Sequence, residues 1–118
     1  VFALGFKTVH FSEISAKQIE EKNAVGVIIR WLITKEDGAK NFSMRYFEIA
    51  PRGYSPLHLH EWEHEVFILE GECEVRCDGE KRKVSEGYAV FIPPNMTHQF
   101  INIGDTTLKF ICLVPHHK

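Results

Sequence analysis

Four of the seven histidines in this chain fall in two tight contexts. His58, His60 and His64 lie in the run His58-Leu59-His60-Glu61-Trp62-Glu63-His64, and His98 follows the Pro93-Pro94 break. Residues two apart on a strand point to the same face. His58 and His60 thus present two imidazoles on one side, with Cβ atoms about 7 Å apart. That is close enough to converge on one ion at metal–nitrogen distances of about 2.0–2.1 Å. His64 lies beyond a bend at Glu61-Trp62 and enters from the adjoining strand. A divalent-metal site is the chemistry this spacing supports; surface or packing histidines are the alternative. His10 stands alone in a polar opening segment and is read as a surface or packing residue. His116 and His117 are read as a mobile tail.

Such a site needs strands to carry it. From residue 38 onward Gly and Pro punctuate short β-rich runs, the pattern of an all-β sandwich or barrel. Strands are expected at 25–33, 42–50, 57–60, 65–69, 88–92, 98–103 and 107–114. Residues 72–84 form a hairpin about the Asp78-Gly79 type I′ turn, which pairs Val75 with Arg82 and the charges of Glu74 and Lys83. One short N-terminal helix is expected over about residues 16–22. There Ser15 is placed to cap, Gln18 sits three residues later, and Ile14 and Ile19 hold the staple positions.

Strand parity then names a pocket. His98, Phe100 and Asn102 share one face; so do Phe110, Cys112 and Val114, and so do Arg45, Phe47 and Ile49. One such face per strand looks into a barrel. Arg45, Phe100, Phe110 and Cys112 are therefore the candidate pocket residues, with plain core packing the alternative for Phe100 and inert packing that for Cys112. An inward Arg45 needs a partner, for which a substrate carboxylate serves; an outer salt bridge is the alternative. If His64 faces inward, Phe67 and Leu69 face outward, toward a second sheet or a partner chain.

The 118 residues have the length of one domain, 1–118. A net charge of -2 offers no broad positive field for nucleic acid. No apolar run approaches the ~20 residues of a membrane span. Cys73, Cys77 and Cys112 form neither a CxxC nor a zinc-finger spacing, and no charged leader precedes an apolar stretch. Free thiols and a cytoplasmic setting are expected. GxSxG, P-loop and GxGxxG patterns are missing.

The two histidine contexts resemble the cupin family. Its first motif, G-x5-HxH-x3,4-E-x6-G, is matched across residues 53–71, from Gly53 through His58 and His60 to Gly71. Its second motif, G-x5-P-x-G-x2-H-x3-N, is matched across residues 87–102 by Gly87, Pro93, His98 and Asn102. Three positions depart. Four residues, not five, separate Gly53 from His58. Asn95 replaces a glycine, and Asn also tolerates positive φ. At the glutamate position both His64 and Glu65 satisfy a permitted spacing, and parity allows only one of them. The ungapped run His64-Glu65-Val66-Phe67-Ile68-Leu69-Glu70-Gly71 favours His64, with Glu65 the alternative.

The resemblance implies a cupin double-stranded β-helix, or jelly-roll barrel. It implies one divalent metal ion per chain (Mn, Fe, Zn, Ni or Cu) held by His58, His60, His64 and His98, as in four-histidine, manganese-type members. Four neutral imidazoles leave the charge of the ion uncompensated, which favours an anionic or enolate-like substrate, or dioxygen. A metal-dependent enzyme of oxygenase or oxidase type on a small organic molecule is the first expectation. The alternatives are a non-catalytic small-ligand sensor and a metal-dependent isomerase or decarboxylase. The absence of an evident acid–base residue beside the metal argues against the last. Small cupins also imply a homodimer.

Overall fold

The computed structural model describes residues 5–116. Nine strands follow a short 3-10 turn at Phe11–Glu13: β1 (Lys17–Gln18), β2 (Val25–Ile33), β3 (Phe42–Tyr54), β4 (His64–Glu70), β5 (Glu72–Cys77), β6 (Glu80–Ser85), β7 (Ala89–Ile92), β8 (His98–Asn102) and β9 (Leu108–Pro115). All pairings are antiparallel and run in the order β6-β5-β8-β3-β9-β4-β7, with β2 also on β3 and β1 on β2. This curled all-β sheet is the expected jelly-roll architecture. No helix among the described residues is long and apolar enough to cross a membrane.

The thirteen-residue β3 organises the sheet because it pairs with three strands, β2, β8 and β9. Its alternation is strict where it matters: Phe47 and Ile49 point inward beside Val27 and Ile29 of β2 and Phe110 and Leu108 of β9. Past Ala50 the strand bulges. Val27 pairs with Ile49 but Val25 with Tyr54, and the slack is taken up by Arg52 at φ 68 and Gly26 at φ 67. Gly53 sits in this bulge, where a Cβ would lie 2.4 Å from the Val25 carbonyl oxygen. That contact explains a glycine one position away from its motif place.

The hairpin forms in the expected register, Val75 opposite Arg82 and Glu74 opposite Lys83, with Asp78 and Gly79 at φ 52 and 90. The Glu74 carboxylate, however, meets Arg76 on its own strand at 2.7 Å. Asn95 takes the positive φ of the missing glycine, at 63. Phe67 and Leu69 point out of the barrel and are 48% and 38% exposed.

Three local readings are corrected. The helix expected at 16–22 is absent: the helical turn lies earlier, at Phe11–Glu13, where His10 and Glu13 make the capping box. Residues 17 and 18 instead pair with Ile29 and Ile28 of β2. The open edge of β2 outcompetes a capping signature too short to nucleate a helix alone. The strand at 57–60 reduces to one bridge, His58 with His98. His116 is no mobile tail, since its ring reaches the Ala39 carbonyl at 2.9 Å and its N–H donates to Asn41. His117 lies outside the described residues.

Candidate metal centre

The inward face of the sheet surrounds a cavity of about 570 Å³ whose wall carries His58, His60, His64 and His98. Each arrives from a different local device. His64 opens β4 with its side chain inward, and Glu65 is exposed on the opposite face, as alternation requires. His98 opens β8 and is tied to His58 by two backbone hydrogen bonds, 2.8 and 3.1 Å. His60 stacks on Trp62, with ring centroids 4.5 Å apart and planes within 5°.

One ligand atom from each of His60, His64 and His98 lies within 4.8 Å of the others. Donors about 2.0–2.1 Å from one ion stand about 3 to 4 Å apart, so small ring rotations bring these three onto one centre. His58 lies beside them, its ring 4.8 Å from that of His60, but its Nε2 is held 2.8 Å from Glu21 Oε2.

The chemistry of the donors suits a cation. Burial, then neighbouring charge from Arg45 and the other histidines, pushes His64 down to about 3. His98 is lowered as well, chiefly by burial. Both imidazoles are therefore neutral at physiological pH, the form that ligates a metal. His98 Nδ1 lies 2.9 Å from the Met96 carbonyl, which only accepts; Nδ1 carries the proton and Nε2 keeps its lone pair. His64 differs. Arg45 Nη2 donates to its Nδ1 at 3.2 Å, which puts the ring proton on Nε2, and Nε2 is buried with no hydrogen-bond partner. Moving that proton to Nδ1 frees Nε2 for an ion. Cys112 Sγ, 3.5 Å from Nδ1, is the acceptor at hand. With its proton on Nδ1, the buried His64 Nε2 would turn a lone pair with no other partner toward the other histidines, the arrangement a cation fits.

Arg45, Phe100, Phe110 and Cys112 all line this cavity. Phe110 stacks on Phe47 and on Phe100, with centroids 5.0 and 5.1 Å apart. Arg45 Nη2 also donates to Cys112 Sγ at 2.9 Å, and burial raises that thiol. Trp31, Trp62 and Glu21 are among the other residues of the wall. The inward face of β2 offered a signal for Trp31, two residues beyond Ile29. Glu21 had none, because it reaches the site only when residues 17–21 fold across the mouth.

Residues 45–114 match the family described as a cupin domain. The polyketide cyclase RemF from Streptomyces resistomycificus is 35% identical, with a TM-score of 0.86 over 94% of this chain and 80% of that one. A predicted oxalate decarboxylase from Thermotoga maritima is 27% identical, with a TM-score of 0.83 over 94% of this chain and 100% of that one. The 1-methylthio-D-xylulose 5-phosphate methylsulfurylase of Rhodospirillum rubrum is 37% identical over 60% of this chain and 46% of its own length. The chain spans about half the length of the first curated relatives it matches.

Proposed function

This chain belongs to the cupin family, and we propose that it is a metal-dependent enzyme acting on a small organic molecule. The observation that carries this reading is the trio His60, His64 and His98 on a cavity wall, with His64 Nε2 buried and unpartnered. His58 is the fourth donor once it parts from Glu21. One divalent ion per chain is the expected load, from Mn, Fe, Zn, Ni or Cu. A bound ion supplies Lewis acidity or, with a redox-active metal, dioxygen activation. The chain's own residues divide the remaining work. His98 is held in its ligating tautomer by Met96. The phenylalanine wall excludes water. Glu21 Oε2, at the mouth, is a carboxylate able to take or give a proton.

Glu21 shifts the balance between chemistries. Its position supports a Lewis-acid reaction with proton transfer, of isomerase, decarboxylase or cyclase type. The relatives named a cyclase, a methylsulfurylase and a predicted decarboxylase point the same way. An oxygenase or oxidase is the second reading, supported by the neutral His64 and His98 beside the phenylalanine wall. A cytoplasmic setting accords with three free cysteines. A homodimer through the outward Phe67 and Leu69 is the assembly we propose, checked by light scattering.

The deciding experiment is metal content after loading the full chain with each ion in turn. About one equivalent per chain is expected, lost in His60→Ala, His64→Ala and His98→Ala variants that stay folded by circular dichroism. Retention of no ion by the wild type overturns the reading. Metal-dependent oxygen uptake moves the assignment to the second reading.

A further inference from the structure

Three of the other four arginines have acidic partners, Arg30 with Glu48, Arg76 with Glu74 and Arg82 with Glu80, and the fourth, Arg52, is exposed to solvent. Arg45 forms no ion pair among the described residues, although it lies on the cavity wall. Its Nε is buried without a hydrogen-bond partner. Its Nη2 reaches only Cys112 Sγ and His64 Nδ1. The guanidinium carbon stands 5.0 Å from the Phe47 ring centroid and 5.4 Å from that of Trp31. A permanent cation held between aromatic rings, with a free donor and no counter-ion, is unsatisfied until an anion enters.

We propose that Arg45 anchors the ligand by binding the carboxylate or enolate oxygens of an organic anion whose flat apolar body lies against Phe47, Phe100 and Phe110. This assignment rests on reading the cavity as the substrate site, but it does not require the metal. Three features carry it. No acceptor among the described residues engages Nη1 of the guanidinium, which leaves a charge-assisted donor for a carboxylate or enolate oxygen. The stacked phenylalanines offer a flat apolar wall. The cavity, about 570 Å³, holds a molecule of bicyclic aromatic size. A purely supporting role for Arg45, steadying His64 and Cys112, predicts no preference for charged over neutral ligands.

The test is calorimetric titration of the full chain, metal-free and metal-loaded, with 2-naphthoate and with its neutral methyl ester. We expect the wild type to bind the acid at least about tenfold tighter than the ester. Arg45→Met should abolish that preference in the metal-free protein, and Arg45→Lys should retain part of it. Equal affinity of the wild type for acid and ester overturns the assignment. So does a preference that survives in metal-free Arg45→Met, or failure of both probes to bind. If Arg45→Met does not fold, the wild-type ratio and Arg45→Lys decide. A charge preference without metal retention leaves this assignment standing and removes the metal reading; metal retention without a preference does the reverse.

Discussion

Acidifying the metal-free protein should destabilise it well before its carboxylates titrate. His64 is 6% exposed, and burial with nearby positive charge pushes it down to about 3 from an ordinary 6.5. The unfolded chain therefore binds a proton that the folded chain refuses. Stability is complete above pH 6.5, falls as the pH drops through that value, and keeps falling toward pH 3. Each pH unit below 6.5 removes about 1.4 kcal/mol per fully shifted group. At pH 5 the loss from His64 alone is about 2 kcal/mol, and the lowered His98 adds to it in the same direction. For a chain of this length that lowers Tm by roughly 6–10 °C. Asp37 and Glu74 are themselves lowered by Lys7 and Arg76, so the stability they contribute is present above the ordinary carboxylate range and lost only below it. The window from pH 7.5 to 5 thus isolates the histidines. The assay is urea unfolding of chelator-treated protein at half-unit steps across that window, with His64→Gln alongside. His64→Gln should flatten the curve by most of the predicted amount. A flat wild-type curve, or an unchanged slope in His64→Gln, refutes the claim that His64 is held neutral by the fold.

Three other outcomes are expected. Asn102 donates to the Ile49 and Thr106 carbonyls at 2.8 and 2.9 Å and accepts from Gly104 N–H at 2.9 Å; Asn102→Ala should cost about 3 kcal/mol in denaturant unfolding, because three backbone groups lose their partner. Gly53→Ala drives a Cβ into the Val25 carbonyl and should cost about 1–3 kcal/mol, with the β2–β3 amides exchanging faster by NMR. Saturation with a bound divalent ion at about 100 times its Kd should raise unfolding stability by about 2.7 kcal/mol at pH 7.5, and a chelator should reverse it. In His98→Ala the shift should vanish.

Local periodicity accounts for what was readable before the fold was known. Two-residue alternation puts Phe100 on the face of His98, Phe110 on that of Cys112, and His64 opposite Glu65, and it needs no knowledge of neighbours, whereas the choice of His64 as the inward one rested on the ungapped motif run. The Asp78-Gly79 turn is equally local, because only certain residues accept two consecutive positive φ angles. What stayed hidden depends on pairings distant in sequence. The segment around Lys17 carries a passable helix signature, yet its fate is settled by an open hydrogen-bonding edge on β2. That same pairing brings Glu21 across the cavity mouth to His58, so the misread helix and the missed carboxylate have one cause.

The proton positions of the two buried histidines illustrate the same division at finer scale. Both are inward by parity, both are lowered by burial, and sequence does not distinguish them. Met96, two residues before His98, supplies a carbonyl that fixes the proton on Nδ1. Arg45, from β3, fixes it on Nε2 of His64. His98 is therefore ready to ligate as it stands, whereas His64 must exchange one hydrogen bond for another. Ligation through His64 Nε2 would need the ring proton on Nδ1 and so would break the hydrogen bond from Arg45 Nη2. Arg45→Met removes the competing donor, so metal binding to that variant should be at least as tight as to the wild type. Weaker binding would mean that Arg45 props His64 in place instead of restraining its proton, and equilibrium competition with a metal-sensitive dye distinguishes the two.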